Sequence, residues 1–348
     1  MVNPIVAMVR RPHERRLAAA RLAANSPDGV YEEGFREVGG IDQWVTVRGD
    51  DRDAPVVLMV HGGPGSPYTP FNPTLGAWER ALVVVQWDQR GGGHTWIRAH
   101  ERDTAPLTLD RLAEDGIDLA QQLVVQFRRR ILLVGSSVGS LTGAIMAKRR
   151  PDLFTAYVAA NVYAADSPRE SHRLTREAAG LRGDRRTLSR LDRIGPDPAR
   201  WSPHDAEAVS KAAIRVGQGV PDMVYDLMLP ALMYDPTLTM ADIRAVDRGI
   251  RHSLRALQPE YGRFDFDALG WDFAVPYVAI HGEGDLVSPL GSARRHAGLV
   301  RSPWTRFVTV PTVGHLVEFA ARDRFLAELL AVVAFVEHGT PGVPGANA

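Results

Sequence analysis

The chain has 348 residues, enough for two domains or for one large domain carrying an insertion. With 45% apolar and 24% charged residues it is neither wholly disordered nor collagen-like. Lysine plus arginine and aspartate plus glutamate both total 41, so there is no basic surplus to neutralise phosphates, and neither nucleic acid nor an anionic membrane is expected as the main partner.

The absence of cysteine excludes a thiol nucleophile, a disulfide framework and any cysteine-ligated zinc or iron–sulfur site, so a nucleophile must be oxygen or nitrogen. Lys148 and Lys211 are the only lysines; the excess of arginine reads as coding bias from a GC-rich genome and carries no functional weight at this stage. The N-terminus has a short apolar stretch broken by Pro4 with its charges after it, the reverse of a secretory leader. The longest apolar run, 329–336, is far shorter than the roughly 20 residues that span a bilayer. A soluble cytoplasmic protein is expected.

In chain order, runs rich in valine, isoleucine and leucine bounded by glycine, proline or aspartate predict strands at 34–38, 43–48, 56–61, 82–86, 131–135, 156–160, 277–281 and 306–310. Helical periodicity places helices at 109–127, 140–149 and 322–337. The runs at 56–61 and 131–135 are almost continuously apolar, as strands of a parallel sheet covered on both faces must be. The expected class is α/β, a mostly parallel eight-stranded sheet with helices on both faces. From 166 to 270 the chain is rich in arginine, aspartate, alanine and proline and shows no strand, which predicts an inserted helical cap between two pieces of core, 1–165 and 271–338. The tail 339–348 is expected to be disordered.

The strongest chemical signal follows the strand at 131–135: Gly135-Ser136-Ser137-Val138-Gly139 leads straight into a helix. A serine on so sharp a strand-to-helix turn needs small residues two positions away on each side, and Ser137, not Ser136, has them. The N–H of Val138 at the helix start faces where an oxyanion would develop. A second signal, His61-Gly62-Gly63-Pro64-Gly65, follows the strand at 56–61; Gly63 can supply a second N–H, Pro64 cannot, and His61 reads as a packed structural residue. Serine needs a base, and the base a carboxylate to orient it. Asp285 lies just past the strand at 277–281 and His315 just past that at 306–310, in the order Ser137, Asp285, His315. Glu283 is the rival acid. The cluster His281-Gly282-Glu283-Gly284-Asp285 has no matching metal-ligand partner, so no metal is expected.

With these residues the sequence resembles the α/β-hydrolase superfamily and, more narrowly, the proline iminopeptidase (prolyl aminopeptidase) family. The narrower resemblance rests on His61-Gly62-Gly63-Pro64-Gly65 and on Asp88-Gln89-Arg90-Gly91. It departs at Val138, where many members have tryptophan, and at Leu316-Val317-Glu318. The resemblance implies an α/β-hydrolase fold, a triad of Ser137, Asp285 and His315, an oxyanion hole at Gly63 and Val138, a cap over the site, and no cofactor. It also implies cap carboxylates that receive a substrate's free amine, for which Glu207, Asp222, Asp226, Asp235 and Glu260 are the candidates. The expected activity is release of an N-terminal proline or other small amino acid from a short peptide or aminoacyl amide. The rivals are an esterase, thioesterase or lactonase with the same triad, and a non-catalytic ligand-binding protein on the same scaffold.

Overall fold

The structure, a computed structural model, describes residues 3–339 apart from 24, 100–102, 104 and 218. Its centre is one sheet of β1 (Val30–Val38), β2 (Ile41–Gly49), β3 (Val56–Val60), β4 (Val83–Asp88), β5 (Ile131–Ser136), β6 (Phe154–Ala160), β7 (Tyr277–Gly282) and β8 (Thr305–Val310). The spatial order is β1-β2-β4-β3-β5-β6-β7-β8. β1 and β2 form an antiparallel hairpin that joins β4 antiparallel, and the other neighbours pair in parallel. All eight expected strands are present. β1 starts earlier than its sequence suggests because Val30 pairs with Gly49 across the hairpin, and the exposed Glu32 and Glu33 hide the alternation.

The helices are α1 (Pro4–Leu22), α2 (Gly76–Glu79), α3 (Gly93–Ala99), α4 (Leu109–Phe127), α5 (Gly139–Arg149), α6 (Ser167–Leu181), α7 (Arg185–Ile194), α8 (Pro203–Val216), α9 (Leu229–Tyr234), α10 (Met240–Tyr261), α11 (Phe266–Leu269), α12 (Leu290–Leu299), α13 (Val317–Ala320) and α14 (Arg322–His338). Side chains alternate across a strand, and β3 shows the result. Val56, Leu58 and Val60 pack with Leu119 and Leu123 of α4 and Leu141 of α5, while Val57 and Met59 pack with Trp78, Phe325 and Leu329 on the opposite face. Helices therefore cover both faces, which is why the central strands carry almost no polar residue.

α1 is a helix that the apolar pattern does not announce. Asn3 caps it by accepting from the Ile5 N–H, Pro4 occupies its first position, and Arg11 and Arg15 donate to the carbonyls of Leu238 and Pro236. Between β6 and β7 the described residues from 166 to 270 form only helical elements, α6 to α11 with a π-helical turn at Met223–Met228. This segment is tied to the sheet layer by the Ser253 hydroxyl donating to the Gly91 carbonyl. No helix among the described residues is long and apolar enough to cross a membrane. The expected disordered tail lies, apart from Gly339, outside the described residues.

Candidate active site

Ser137 stands at the turn between β5 and α5 with φ +55°, a left-handed conformation that a non-glycine residue adopts only when its surroundings impose it. The imposition is visible in the flanking glycines. A Cβ on Gly139 would lie 2.4 Å from the Val60 carbonyl oxygen, and one on Gly135 would lie 2.5 Å from that of Gly139. The turn thus packs so closely against the end of β3 at Gly139, and against the start of α5 at Gly135, that only glycine fits on either side of the serine.

The loops after β7 and β8 bring the other two residues to it. His315 Nδ1 donates to Asp285 Oδ2 at 2.7 Å, and the Ser137 hydroxyl donates to His315 Nε2 at 3.0 Å. The second oxygen of Asp285 accepts the N–H groups of Val287 and Ser288 at 2.8 and 2.9 Å, which fixes the carboxylate in its own loop. Burial pushes Asp285 toward its neutral form, but the charge and hydrogen bond of His315 outweigh it, so the carboxyl is held below the usual range. Burial alone would lower His315; the charge and hydrogen bond of Asp285, with the charge of Glu318, raise it above the ordinary histidine value. Glu283, the rival acid, is exposed, and its backbone N–H joins Val310 in the sheet. His281 is fully buried, accepts from the Val162 N–H at Nδ1 and donates from Nε2 to the Ser288 carbonyl. Burial depresses its pKa, so it is a neutral support under the Asp285 loop.

Two N–H groups are candidates for polarising a carbonyl held against Ser137. The N–H of Ser137 itself is taken by the Ala160 carbonyl, but Val138 opens α5 and no side chain caps that end, and the first N–H groups of a helix have no internal partner. Gly63, at φ +112°, lines the same cavity as Ser137 and Val138. The loop carrying Gly63 is held through Gln89, whose N–H donates to His61 Nε2 and whose side-chain amide donates to the His61 carbonyl. The neighbouring Asp88 accepts from Thr69 and from the backbone N–H of His94, and Arg90 forms a buried ion pair with Asp115. The Asp-Gln-Arg-Gly segment is therefore the brace of the His-Gly-Gly-Pro loop, which explains why the two motifs occur together.

Sequence reasoning missed a polar network behind the serine. Glu318 in α13 is fully buried and accepts from the Ser136 hydroxyl at 2.7 Å and from Asn161 Nδ2 at 2.6 Å. Asn161 accepts in turn from the Val317 N–H. The Ser136–Asn161–Glu318 network joins the residue before Ser137 to the third residue after His315. The only advance signal was the acidic residue itself in an otherwise apolar stretch.

Ser137, Val138 and Gly63 open into a cavity of about 110 Å³ whose other walls include Tyr163, Trp201, Val209, Leu254, Gln258 and Tyr261. None of the residues lining it is charged. The five carboxylates expected to meet a substrate amine are all elsewhere. Glu207 pairs with Lys211 at 2.5 Å, and Glu260 accepts from the Leu109 N–H at the start of α4. Asp222 caps the π-helical turn, Asp226 accepts from the Asp222 N–H, and Asp235 accepts from Thr237 and Leu238. Asp222 lies in a separate small pocket that also touches His315, and Glu207 and Glu260 are chain neighbours of the lining residues Ala206 and Tyr261 without lining the cavity themselves. Four of the five share a physical reason, since helices have many ends and turns and carboxylates are the acceptors that satisfy them, while Glu207 is taken by an ion pair along α8.

Comparison with known proteins agrees with this architecture. The chain is 26% identical to probable aminopeptidase YbaC of Bacillus subtilis (strain 168) over 292 residues, which cover 81% of this chain and 90% of that protein. Among solved structures, serine hydrolase CCSP0084 from the polyaromatic hydrocarbon-degrading bacterium Cycloclasticus zankles superposes with a TM-score of 0.61 at 15% identity, over 89% of this chain and 100% of that one. The proline iminopeptidase-related protein TTHA1809 from Thermus thermophilus does so with 0.58 at 21% identity, over 88% and 98%. At these identities the two structures speak for the fold alone, while the likeness to YbaC accords with the resemblance read from the motifs. The model of the alpha/beta hydrolase family matches residues 57–328, from within β3 to within α14, and the chain belongs to that family, whose reaction is hydrolysis.

Proposed function

We propose that the protein is a serine hydrolase that works through an acyl-enzyme on a small, neutral acyl substrate: an ester, thioester, lactone or amide without a free amine next to the carbonyl. The single observation that carries this reading is that the Ser137–His315–Asp285 chain of hydrogen bonds opens into a cavity with uncharged walls. His315 Nε2 takes the proton of Ser137 as the oxygen attacks the carbonyl, and Asp285 holds the ring and stabilises the imidazolium. The N–H groups of Val138 and Gly63 receive the oxyanion. His315 then gives its proton to the leaving group, and water, deprotonated by the same nitrogen, releases the acyl group. No cofactor is required.

A substrate ammonium in this cavity would exchange water for aromatic and aliphatic walls without a counter-charge, which costs several kcal/mol. That argument sets neutral acyl substrates above aminopeptidase substrates. Release of an N-terminal proline or other small amino acid stays as the second reading, favoured by the likeness to YbaC and by Glu207, which lies on α8 between the cavity-lining Ala206 and Ser210. The experiment is a comparison of short-chain p-nitrophenyl esters with prolyl and alanyl p-nitroanilides on the full chain. Ester cleavage with little anilide release is the expected result; fast anilide release that N-acylation abolishes would establish the second reading.

A further inference from the structure

A concavity larger than the one at Ser137 lies on the helical segment. This groove of about 800 Å³ runs between α7 and the start of α8, lined by Arg186, Arg190, Arg193, Arg200 and His204 together with Asp197 and Asp205. Arg186, Arg190 and Arg193 recur at intervals of four and three residues and so form one row along α7. Beside this row α7 is packed down, because Leu191 and Ile194 meet Val209, Ala212 and Trp201, and Ile194 also lines the groove. The Trp201 indole N–H also donates to the Gly195 carbonyl at the helix end. The helix that carries the row is therefore fixed by the core of the segment, while the arginine side chains themselves are exposed.

Like the neighbouring Arg182 and Arg185, these cations have no close side-chain partner among the described residues, although Arg190 and His204 lie near enough to Asp205 for their charge to favour its ionised form. Arg173 pairs with Glu170 and Glu177, Arg176 with Asp192 and Arg215 with Asp184, whereas the side chains of Arg186, Arg190, Arg193 and Arg200 have no hydrogen bond or ion pair among the described residues. The two carboxylates at the groove make their hydrogen bonds and closest ion pair elsewhere, although the charge of Asp205 is also felt by Arg190 and His204. Asp205 forms the capping box of α8 with Ser202, and Asp197 caps the short turn at Pro198–Arg200 and lies 3.7 Å from Arg169. Like charges three and four residues apart weaken a helix, so α7 carries a cost that an anionic ligand would remove. Overall neutrality of the chain does not bear on this, since the imbalance is local.

We propose that this groove is a binding site for a phosphate-bearing ligand of about mononucleotide size. Four guanidinium groups against two carboxylates call for a ligand of at least two negative charges, and the guanidinium fork matches phosphate oxygens bidentately. The volume falls in the range of small-molecule sites, roughly 300–1,000 Å³. The groove also shares a wall with the Ser137 cavity: Pro196, Asp197, Arg200, His204 and Asp205 face the groove, and Pro198, Trp201 and Ala206 face the cavity. A ligand in the groove rests on the segment that shapes the substrate site.

The test is calorimetric titration of the full chain with pyrophosphate, ADP and citrate at equal ionic strength, repeated on R190A/R193A. It is run on S137A protein, so its outcome is independent of whether Ser137 is a nucleophile. Saturable one-to-one binding of pyrophosphate and ADP is expected, weakened about tenfold or more in R190A/R193A because two charge-assisted contacts are lost. ADP binding tighter than pyrophosphate assigns the rest of the groove to the nucleoside; equal binding assigns it to the phosphates alone. Both arginines are exposed, and the melting temperature of R190A/R193A checks that it is folded; pyrophosphate should raise that temperature in the parent and not in the variant. Absence of saturation at millimolar ligand, equal binding by the variant, or citrate binding as tightly as pyrophosphate would overturn the proposal.

Discussion

The two walls of the Ser137 cavity are built differently. On the sheet side, Ser137, His315 and Asp285 stand just past the ends of β5, β8 and β7, and each polar atom meets a partner set by strand geometry. On the helical side, Trp201, Val209, Leu254 and Tyr261 come from α8, α10 and the turns between helices, and the charges of that segment turn outward or cap helix ends. The Ser137–His315–Asp285 hydrogen-bonded chain is placed on strand ends. The shape of the cavity is left to side chains on packed helices, which can change without disturbing the hydrogen-bonded chain.

Breaking the sheet side should have the largest effect. Ser137→Ala removes the hydroxyl that donates to His315, and kcat/KM for a short p-nitrophenyl ester is expected to fall by about 10⁴-fold or more. Turnover at the parental rate in that variant would sink the acyl-enzyme reading. Gly139→Ala tests the elbow itself. Its methyl group would press on backbone oxygens of Val60 and His61, which cannot move aside as a side chain can. Overpacking of this kind costs about 1–3 kcal/mol, so the melting temperature should drop by several degrees; an unchanged melt would mean that the turn is looser than its contacts imply.

The same division explains what the sequence revealed. β3 and β5 are buried on both faces, so their residues read as unbroken apolar runs, and Gly-x-Ser-x-Gly after β5 is a local motif that needs no knowledge of the rest of the chain. Asp285 and His315 were legible because each closes a strand signal. Glu318 and Asn161 were not, because their meeting depends on α13 folding back beneath the end of β6. The carboxylates between 166 and 270 are harder to read: Asp222 and Asp235 look free in sequence, and only the folded chain shows the backbone N–H groups they satisfy. α1 was hidden by Pro4 and Pro12 and by exposed apolar residues such as Ile5 and Val9.

Changing the helical side should shift selectivity and leave the chemistry in place. Gln258 is a polar residue in an otherwise largely apolar wall, and Gln258→Glu would put a carboxylate where the cavity has none. A new charged contact to a substrate ammonium is worth about 1.5–3 kcal/mol. The ratio of kcat/KM for alanyl p-nitroanilide to that for p-nitrophenyl acetate is therefore expected to rise about tenfold. A ratio that does not move would mean that the substrate's α-position does not face this wall, and would weaken the case for neutral acyl substrates.

The smallest expected effect tests how far the sheet side extends behind Ser137. The titratable groups that bear on His315 are Asp285 beneath it, His281 under the Asp285 loop and Glu318, while Asp222 lines the small pocket that His315 also touches. His281 is neutral, so the carboxylates set the balance. His315 must be neutral to accept the Ser137 proton, so kcat/KM should fall as pH drops through its folded pKa. Because that pKa is raised, the acid limb should have its midpoint above the ordinary value of about 6.5. Glu318 contributes to the rise, so Glu318→Gln should move the limb to lower pH by less than about one unit, making the variant relatively more active, by a few-fold at most, on the acid side. Glutamine can still accept from Ser136, although one of its two termini must face Asn161 as a donor, so some loss of rate at all pH values accompanies the shift. If the rate falls while the limb stays where it was, the buried Glu318 only holds the loop between His315 and α13 against Ser136, and its charge has no part in tuning the base.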